Sequence, residues 1–131
     1  MLTYLSPQWV EALDAVLDAV TPPPGLADVV VQFVVTNAAG AADASYHLDL
    51  SSAGVHARDG VHPTPQVTFT QSRPDAELVA RGQRSAPAAV LRGDVLVRGD
   101  ASTLVPWRRV LADGVGDALR ELNARTTFDL A

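Results

Sequence analysis

The chain has 131 residues and a net charge of −5, which is the size of one ordinary domain and the wrong charge for binding nucleic acid. Hydrophobic residues make up 47% of the chain and charged residues 19%, a balance typical of globular proteins and too apolar for intrinsic disorder. All 10 basic residues are arginine and none forms a long basic run, so stable insertion into an anionic membrane is also disfavoured.

Targeting and redox features are absent from the sequence. There is no cysteine, which excludes disulfides, thiolate nucleophiles and cysteine zinc sites. The first residues lack the basic region of a signal peptide, and no stretch approaches the ~20 apolar residues of a bilayer span. The last residues, 128–131, match no lipidation motif. We therefore expect a single domain over residues 1–131, located in the cytoplasm, and the use of arginine without lysine suggests a bacterial source.

The first predicted element is an amphipathic helix. Ser6 supplies a capping hydroxyl, and Pro7 follows it at a position where the missing N–H costs nothing. The helix ends at the proline-rich residues 22–25, which cannot continue it. Its apolar face carries residues at helical spacing, namely Trp9, Leu13, Val16 and Val20.

Four strands are predicted next, because their side chains alternate between apolar and polar. Residues 37–40 (N-A-A-G) form a predicted turn, and glycine-containing turns follow the second and third strands. The first three strands therefore predict an antiparallel meander with one apolar face. The four strands cover residues 28–36, 46–50, 55–58 and 66–71.

The remaining chain predicts two short helices, a fifth strand and a long last helix. The last helix carries apolar residues at three- and four-residue spacing, but Gly114 and Gly116 each weaken its middle by about 1 kcal/mol relative to alanine, so a break is expected there. The order α-β-β-β-β-α-α-β-α predicts an α+β fold with helices on one face of a five-stranded sheet. These elements cover residues 74–82, 85–92, 94–98 and 104–122.

The second half of the chain resembles the sterol-carrier-protein-2-like (SCP2-like) domain family. The resemblance rests on the strand V-T-F-T-Q-S at residues 67–72 and the acidic helix start P-D-A-E-L at residues 74–78. It continues through Gly82, the short helix at residues 86–91, and G-D-V-L-V-R-G-D at residues 93–100. The upstream strands are similar too, so the likeness spans roughly residues 28–112.

This resemblance implies a mainly antiparallel five-stranded sheet, helices over one face, and a hydrophobic tunnel between them. It also implies an apolar ligand, such as a sterol, fatty acid, acyl-CoA or other lipid, and a role as a carrier or as an accessory domain that presents a substrate to a partner enzyme. The family is usually lysine-rich around its two small helices, where this chain has only Arg81, Arg84 and Arg92. A bacterial, stand-alone type therefore fits better than a eukaryotic transfer protein.

The residues expected to line the cavity are the inward apolar side chains of the sheet and helices. Alternatively, these side chains line no cavity and only fill the core to native density. The sheet contributes Phe33, Val35, Leu48, Leu50, Val67 and Phe69, and the helices contribute Leu78, Val90, Leu91, Leu104, Trp107 and Leu111.

No catalytic, cofactor or metal site is predicted. No Gly-x-Ser-x-Gly elbow occurs, and the acidic pairs of the first helix, such as Glu11 with Asp14, are interpreted as a solvated surface. His47 is expected on the outer face of the sheet near Asp49. His56 and His62, six residues apart, have no recognised zinc-ligand spacing and are expected to be solvated.

Two surface features leave alternatives open. Arg108 and Arg109 follow Trp107, and one of them is placed to hold a ligand head group at the cavity mouth or to pair with Asp113. On the outer face, Val30, Val34 and Leu96 suggest an apolar strip for a homodimer or a partner enzyme. The second functional hypothesis is thus a non-catalytic interaction domain that has the same fold and no open cavity.

Overall fold

The secondary structure is known for residues 2–37 and 42–128 of a computed structural model, in which Ala86 and Pro87 are described by their backbone only. Three residues of the predicted turn, 38–40, and the C-terminal residues 129–131 lie outside the described part. The helices are α1 (Pro7–Leu17), α2 (Arg73–Ala80), α3 (Ala86–Leu91) and α4 (Gly116–Asn123). The strands are β1 (Leu2–Thr3), β2 (Val29–Thr36), β3 (Ala44–Ser51), β4 (Gly54–Asp59), β5 (Val67–Ser72), β6 (Val95–Gly99) and β7 (Thr126–Thr127).

Five of the strands form one mixed sheet in the order β4-β3-β2-β5-β6. Only the central pair, β2 with β5, is parallel, so the predicted α+β fold with a mainly antiparallel sheet is confirmed. The two short strands β1 and β7 were not predicted. They pair in parallel, with Leu2 opposite Thr126, and so join the two ends of the described chain.

Helix α1 covers the free edge of β4 as well as the inner face of the sheet. The Asp14 carboxylate accepts a hydrogen bond from the Ala57 backbone N–H at 3.0 Å and lies 3.2 Å from Nδ1 of His56. The expectation that Asp14 belongs to a solvated surface is therefore wrong, whereas the His56 side chain is 45% exposed and remains partly solvated. Asp14 satisfies an edge N–H that would otherwise be open to another strand.

The predicted long last helix is three successive helical stretches. Residues Ala101–Trp107 form a 3₁₀ helix, Val110–Val115 form a π-helical stretch, and α4 begins at Gly116. In place of the expected break near the glycines, the helix changes from π to α hydrogen bonding at Gly116, where the backbone stays helical. A Cβ on Gly114 would lie 3.0 Å from Val20 Cγ1, so glycine there permits close packing against the C-terminal end of α1.

The outer face of the sheet is partly covered by the loop that follows β4. Gln32 is only 2% exposed, and its Nε2 donates to the carbonyl oxygens of Tyr46 and Gly60 at 3.0 and 3.1 Å. Its Oε1 accepts from the backbone N–H of His62 at 2.8 Å. One buried amide therefore fixes the loop over β2 and β3.

The histidine His47 lies on this outer face next to Asp49, as predicted, with 3.7 Å between Nε2 and Oδ1. Its ring packs edge to face against the His62 ring at 5.2 Å, so His62 is a packing partner and is not fully solvated. Among the described residues, no group of three histidine, aspartate or glutamate side chains is arranged to hold a metal ion.

Candidate ligand-binding site

A row of aromatic side chains crosses the inner face of the sheet. Phe33 on β2 is paired with Tyr46 on β3 and with Phe69 on β5, and Phe69 is paired with Val97 on β6. Paired residues in neighbouring strands present their side chains on the same face. The rings of Phe33 and Tyr46 are stacked with centroids 4.9 Å apart, and those of Phe33 and Phe69 are 5.8 Å apart. We call Phe33, Phe69 and Val97 the inner row.

The inner row is less well covered than the part of this face that belongs to β3 and β4. Towards β3 and β4, apolar side chains such as Leu50 and Val55 are fully buried beneath α1. Phe33, Phe69 and Val97 are only partly buried, although they pack against the same core. The structure therefore leaves apolar surface exposed on the part of the sheet that α1 does not cover.

The residues predicted to line a cavity fall into three groups by burial. Val35, Leu48, Leu50, Val67 and Trp107 are buried in the core. Phe33, Phe69, Leu78, Leu104 and Leu111 are partly buried. Val90 and Leu91 on α3 are 42% and 89% exposed.

Trp107 anchors the 3₁₀ helix to the body of the protein. Its side chain is fully buried, and its indole Nε1 donates a hydrogen bond of 2.9 Å to the carbonyl oxygen of Ala27. This bond ties the end of the 3₁₀ helix to the segment that enters β2. The indole is thus held in place by packing and by a satisfied N–H.

Two concavities of the described chain lie away from the inner row. These two, of about 440 and 360 Å³, are formed between α1 and residues 109–125 and share Val16, Ala19 and Glu121. Neither lies between the sheet and the helices. Arg109 and Asp113 line the larger one, and within the described chain they form no ion pair. The alternative in which Arg108 or Arg109 pairs with Asp113 is therefore not found among the described residues, and Arg109 borders this concavity instead of the predicted cavity.

A buried ion pair lies next to Tyr4, and the sequence did not predict it. Glu77 on α2 is 8% exposed and pairs with Arg73, with 3.3 Å between Oε1 and Nε. Arg73 also donates to the carbonyl oxygen of Tyr4 at 3.4 Å and lies over the Tyr4 ring. These contacts attach α2 to the N-terminal segment. The i,i+4 spacing of Arg73 and Glu77 indicates the pair but not its burial.

Both tyrosines of the chain are buried near this group. Tyr4 and Tyr46 each pack edge to face against Trp9, with ring centroids 5.2 and 5.5 Å from it. Burial raises the pKa of both phenols above their ordinary value of 10.0, and the Arg73 guanidinium offsets part of that rise at Tyr4. The two hydroxyls are therefore neutral well into the alkaline range.

The raised pKa values predict loss of stability in alkali. Above pH 10.0 the unfolded chain loses phenolic protons that the folded chain keeps, so the stability present below that pH falls as pH rises, by about 1.4 kcal/mol per pH unit for each tyrosine. Tyr46→Phe should move the alkaline unfolding midpoint to higher pH. Ultraviolet titration of phenolate against circular dichroism measures this, and an unchanged midpoint in the variant would contradict it.

A cluster of ion pairs fixes the two short helices to the sheet. Arg84, in the α2–α3 connection, contacts Asp94 before β6 at 2.8 Å and Asp75 in the first turn of α2 at 3.3 Å. The three side chains are largely shielded, whereas Arg92, which also pairs with Asp94, is mostly exposed. Arg84 therefore joins α2, the loop and β6 through two charge-assisted bonds.

Removing the Arg84 guanidinium should leave two carboxylates without their main partner. We expect Arg84→Ala to lower the free energy of unfolding by about 1.5–3 kcal/mol, and Arg92→Ala by at most about 1 kcal/mol, because the latter is a surface pair. Urea denaturation of both variants measures the difference. Equal losses would show that Arg84 is no more than a surface charge.

Known proteins of similar sequence or structure share this fold. A family model described as the SCP-2 sterol transfer family matches residues 24–112. A Thermus thermophilus protein described as possibly a sterol carrier protein is similar in structure, with a TM-score of 0.70 and 17% identity over 93% of this chain and 91% of that one. A crystal structure of sterol carrier protein 2 also has a TM-score of 0.70, at 17% identity over 90% of this chain and 98% of that one.

The solution structure of a palmitated sterol carrier protein 2 like 2 from Aedes aegypti is also similar. Its TM-score is 0.62 at 24% identity, over 79% of this chain and 90% of that one. At these identities the likenesses show a shared fold. No curated protein matches the sequence. Within the described ranges, no helix has both the length and the apolar character needed to cross a membrane.

Proposed function

The chain belongs to the SCP-2 sterol transfer family, and from that premise we propose that it binds an apolar small molecule between its sheet and helices. The ligand class is a lipid, fatty acyl chain or sterol-like molecule, held by a carrier or by an accessory domain that presents it to an enzyme. The observation that carries this proposal is the partly exposed inner row of Phe33, Phe69 and Val97.

Apolar burial supplies the driving force for such binding. Each Å² of apolar surface removed from water contributes about 25 cal/mol, so a ligand that covers the partly wet faces of two phenylalanines and a valine gains affinity directly. The inner row lies on three paired strands of the sheet. A site on a strand scaffold of this kind is positioned before the ligand arrives.

In this proposal two helical segments cover the ligand. One is α2, which carries Leu78, and the other is the stretch of residues 101–115, which carries Leu104 and Leu111. All three leucines are partly buried. In this proposal, a small outward shift of either segment opens space above the inner row. We propose that the ligand lies there, in contact with these three leucines and the inner row. The buried residues Val35, Leu48, Leu50 and Val67 then support the site from within the core, and Trp107 fixes the helical wall.

A non-catalytic role fits the polar groups around the site. Glu77 and Arg73 are engaged with each other, and Tyr4 and Tyr46 are neutral phenols because burial raises the pKa of each. Neither phenol is poised to exchange a proton near pH 7, because burial raises the pKa of both. We therefore propose binding and presentation of a ligand, without chemistry on it.

The proposal is tested by titrating delipidated protein with palmitate, cholesterol and palmitoyl-CoA in a calorimeter at several temperatures. Binding of at least one probe with a negative heat-capacity change is the expected result, since apolar burial gives that signature. Failure of all three to bind or to raise the melting temperature would contradict the carrier role. It would favour the interaction domain instead.

The interaction domain has one observation in its favour. Leu96 on the outer face is 52% exposed and lies in one row with Thr70 and Val34. If this row mediates self-association, the solution mass of the protein rises with concentration, and Val34→Asp abolishes the rise. A constant monomer mass across the concentration range would remove this candidate.

A further inference from the structure

The inner face of β5 carries one polar side chain. Strand alternation places Gln71 on the same face as Val67 and Phe69. Its cross-strand partners are Val35 on β2 and Val95 on β6. Gln71 thus lies in the row next to the inner row, with a valine on each side and Phe69 two residues before it.

The amide of Gln71 is unusual because its nitrogen is buried without a partner. Nε2 is shielded from solvent and makes no hydrogen bond within the part of the chain that the structure describes. Neighbouring polar groups are engaged elsewhere, since Ser72 caps α2 and bonds to Asp75, and Asp75 pairs with Arg84. The backbone carbonyl of Gln71, by contrast, accepts from the Thr36 hydroxyl at 3.5 Å.

A buried amide donor without an acceptor is costly. An unsatisfied buried donor destabilises a protein by about 1–3 kcal/mol, and such groups in native structures are few. A leucine or methionine at the same place would pack against Val35 and Val95 without that cost. The glutamine therefore has a use that the fold alone does not supply.

We propose that Gln71 is a specificity-determining residue that donates a hydrogen bond to an acceptor group of the ligand. This inference rests on the proposed function, since it requires a ligand over the inner row. The ligand then has an apolar body on Phe33, Phe69 and Val97 and a carbonyl or carboxyl oxygen at Gln71. A pure hydrocarbon leaves the amide unpaired and gains nothing from it.

The test compares two probes of equal chain length, 2-undecanone and n-undecane, whose partition into protein solution is measured from the vapour phase. The ketone adds one acceptor and no charge. We expect Gln71→Leu to weaken ketone binding about tenfold and to leave alkane binding within about twofold of wild type. Gln71→Met serves as a second apolar variant. Thr70→Val, on the opposite face of the same strand, serves as the control that changes neither.

The outcomes separate this inference from the function beneath it. Wild-type protein that binds both probes, with ketone binding unaffected in both Gln71 variants or lowered equally with alkane binding, overturns the role of Gln71 alone. Wild-type protein that binds neither probe overturns the role of Gln71, and the proposed function fails with it only when palmitate, cholesterol and palmitoyl-CoA also fail to bind. A selective loss of ketone binding in both Gln71 variants supports both.

Discussion

Trp107→Ala is expected to lower the free energy of unfolding by about 3–5 kcal/mol, because it removes a fully buried indole and leaves a cavity behind. The change also leaves the Ala27 carbonyl oxygen without the 2.9 Å hydrogen bond it accepts from the indole. The 3₁₀ helix would lose its attachment to the segment entering β2. Urea denaturation followed by circular dichroism measures the loss.

Val105→Ala is the matched control for this change. Val105 belongs to the same 3₁₀ helix but is 59% exposed, so its truncation should alter the free energy of unfolding by no more than about 0.5 kcal/mol. Comparable losses for the two variants would mean that the segment frays as a unit. Trp107 would then not be the residue that anchors the 3₁₀ helix.

Filling the space above the inner row is expected to weaken ligand binding strongly. In Leu111→Trp and in Phe69→Trp the added ring atoms occupy apolar volume that we assign to the ligand. A ligand that loses contact over about 100 Å² of apolar surface loses roughly 2.5 kcal/mol, or about 70-fold in affinity. Titration of delipidated variants with palmitate measures the effect.

Val61→Trp is the control for the added indole. Val61 is 72% exposed in the loop on the outer side of the sheet, where a larger side chain meets solvent. Its palmitate affinity should match that of wild type. Wild-type affinity in both filling variants would place the ligand elsewhere on the protein, and the concavity beside Val16 and Ala19 would be the next site to test.

Local patterns in the sequence predicted the sheet well, for a physical reason. A strand buried on one face must alternate, so the spacing of Val29, Val31 and Val35 is enough to indicate both the strand and its inner face. The pairing of β1 with β7 and the contact of Asp14 with Ala57 could not be predicted in this way. Both join residues far apart in the chain, and neither leaves a periodic signal.

The site was predicted only in part. Phe33 and Phe69 follow from alternation, and the same alternation marks Val97 as inward, but nothing local shows that these residues remain partly exposed. Exposure depends on how far α1 reaches across the sheet. Helix α3 has six residues, too few to define an apolar face, and so gave no warning that Leu91 is exposed.

Gln71 illustrates a signal that was present in the sequence and can be used. The alternation that sends Val67 and Phe69 inward also sends Gln71 inward, two residues later. A polar residue at an inward position is informative because burial of an unpaired amide is unfavourable. What the sequence could not show is that the Gln71 amide nitrogen has no hydrogen-bond partner among the described residues, which depends on the placement of the elements around it.

The most direct test of the binding role is native mass spectrometry of the freshly purified protein, followed by solvent extraction of whatever is released. We predict a mass above that of the chain, from a co-purified lipid or other apolar molecule that is absent from Leu111→Trp and Phe69→Trp. A mass equal to that of the chain alone, together with no binding of palmitate, cholesterol or palmitoyl-CoA, would contradict the proposed binding role.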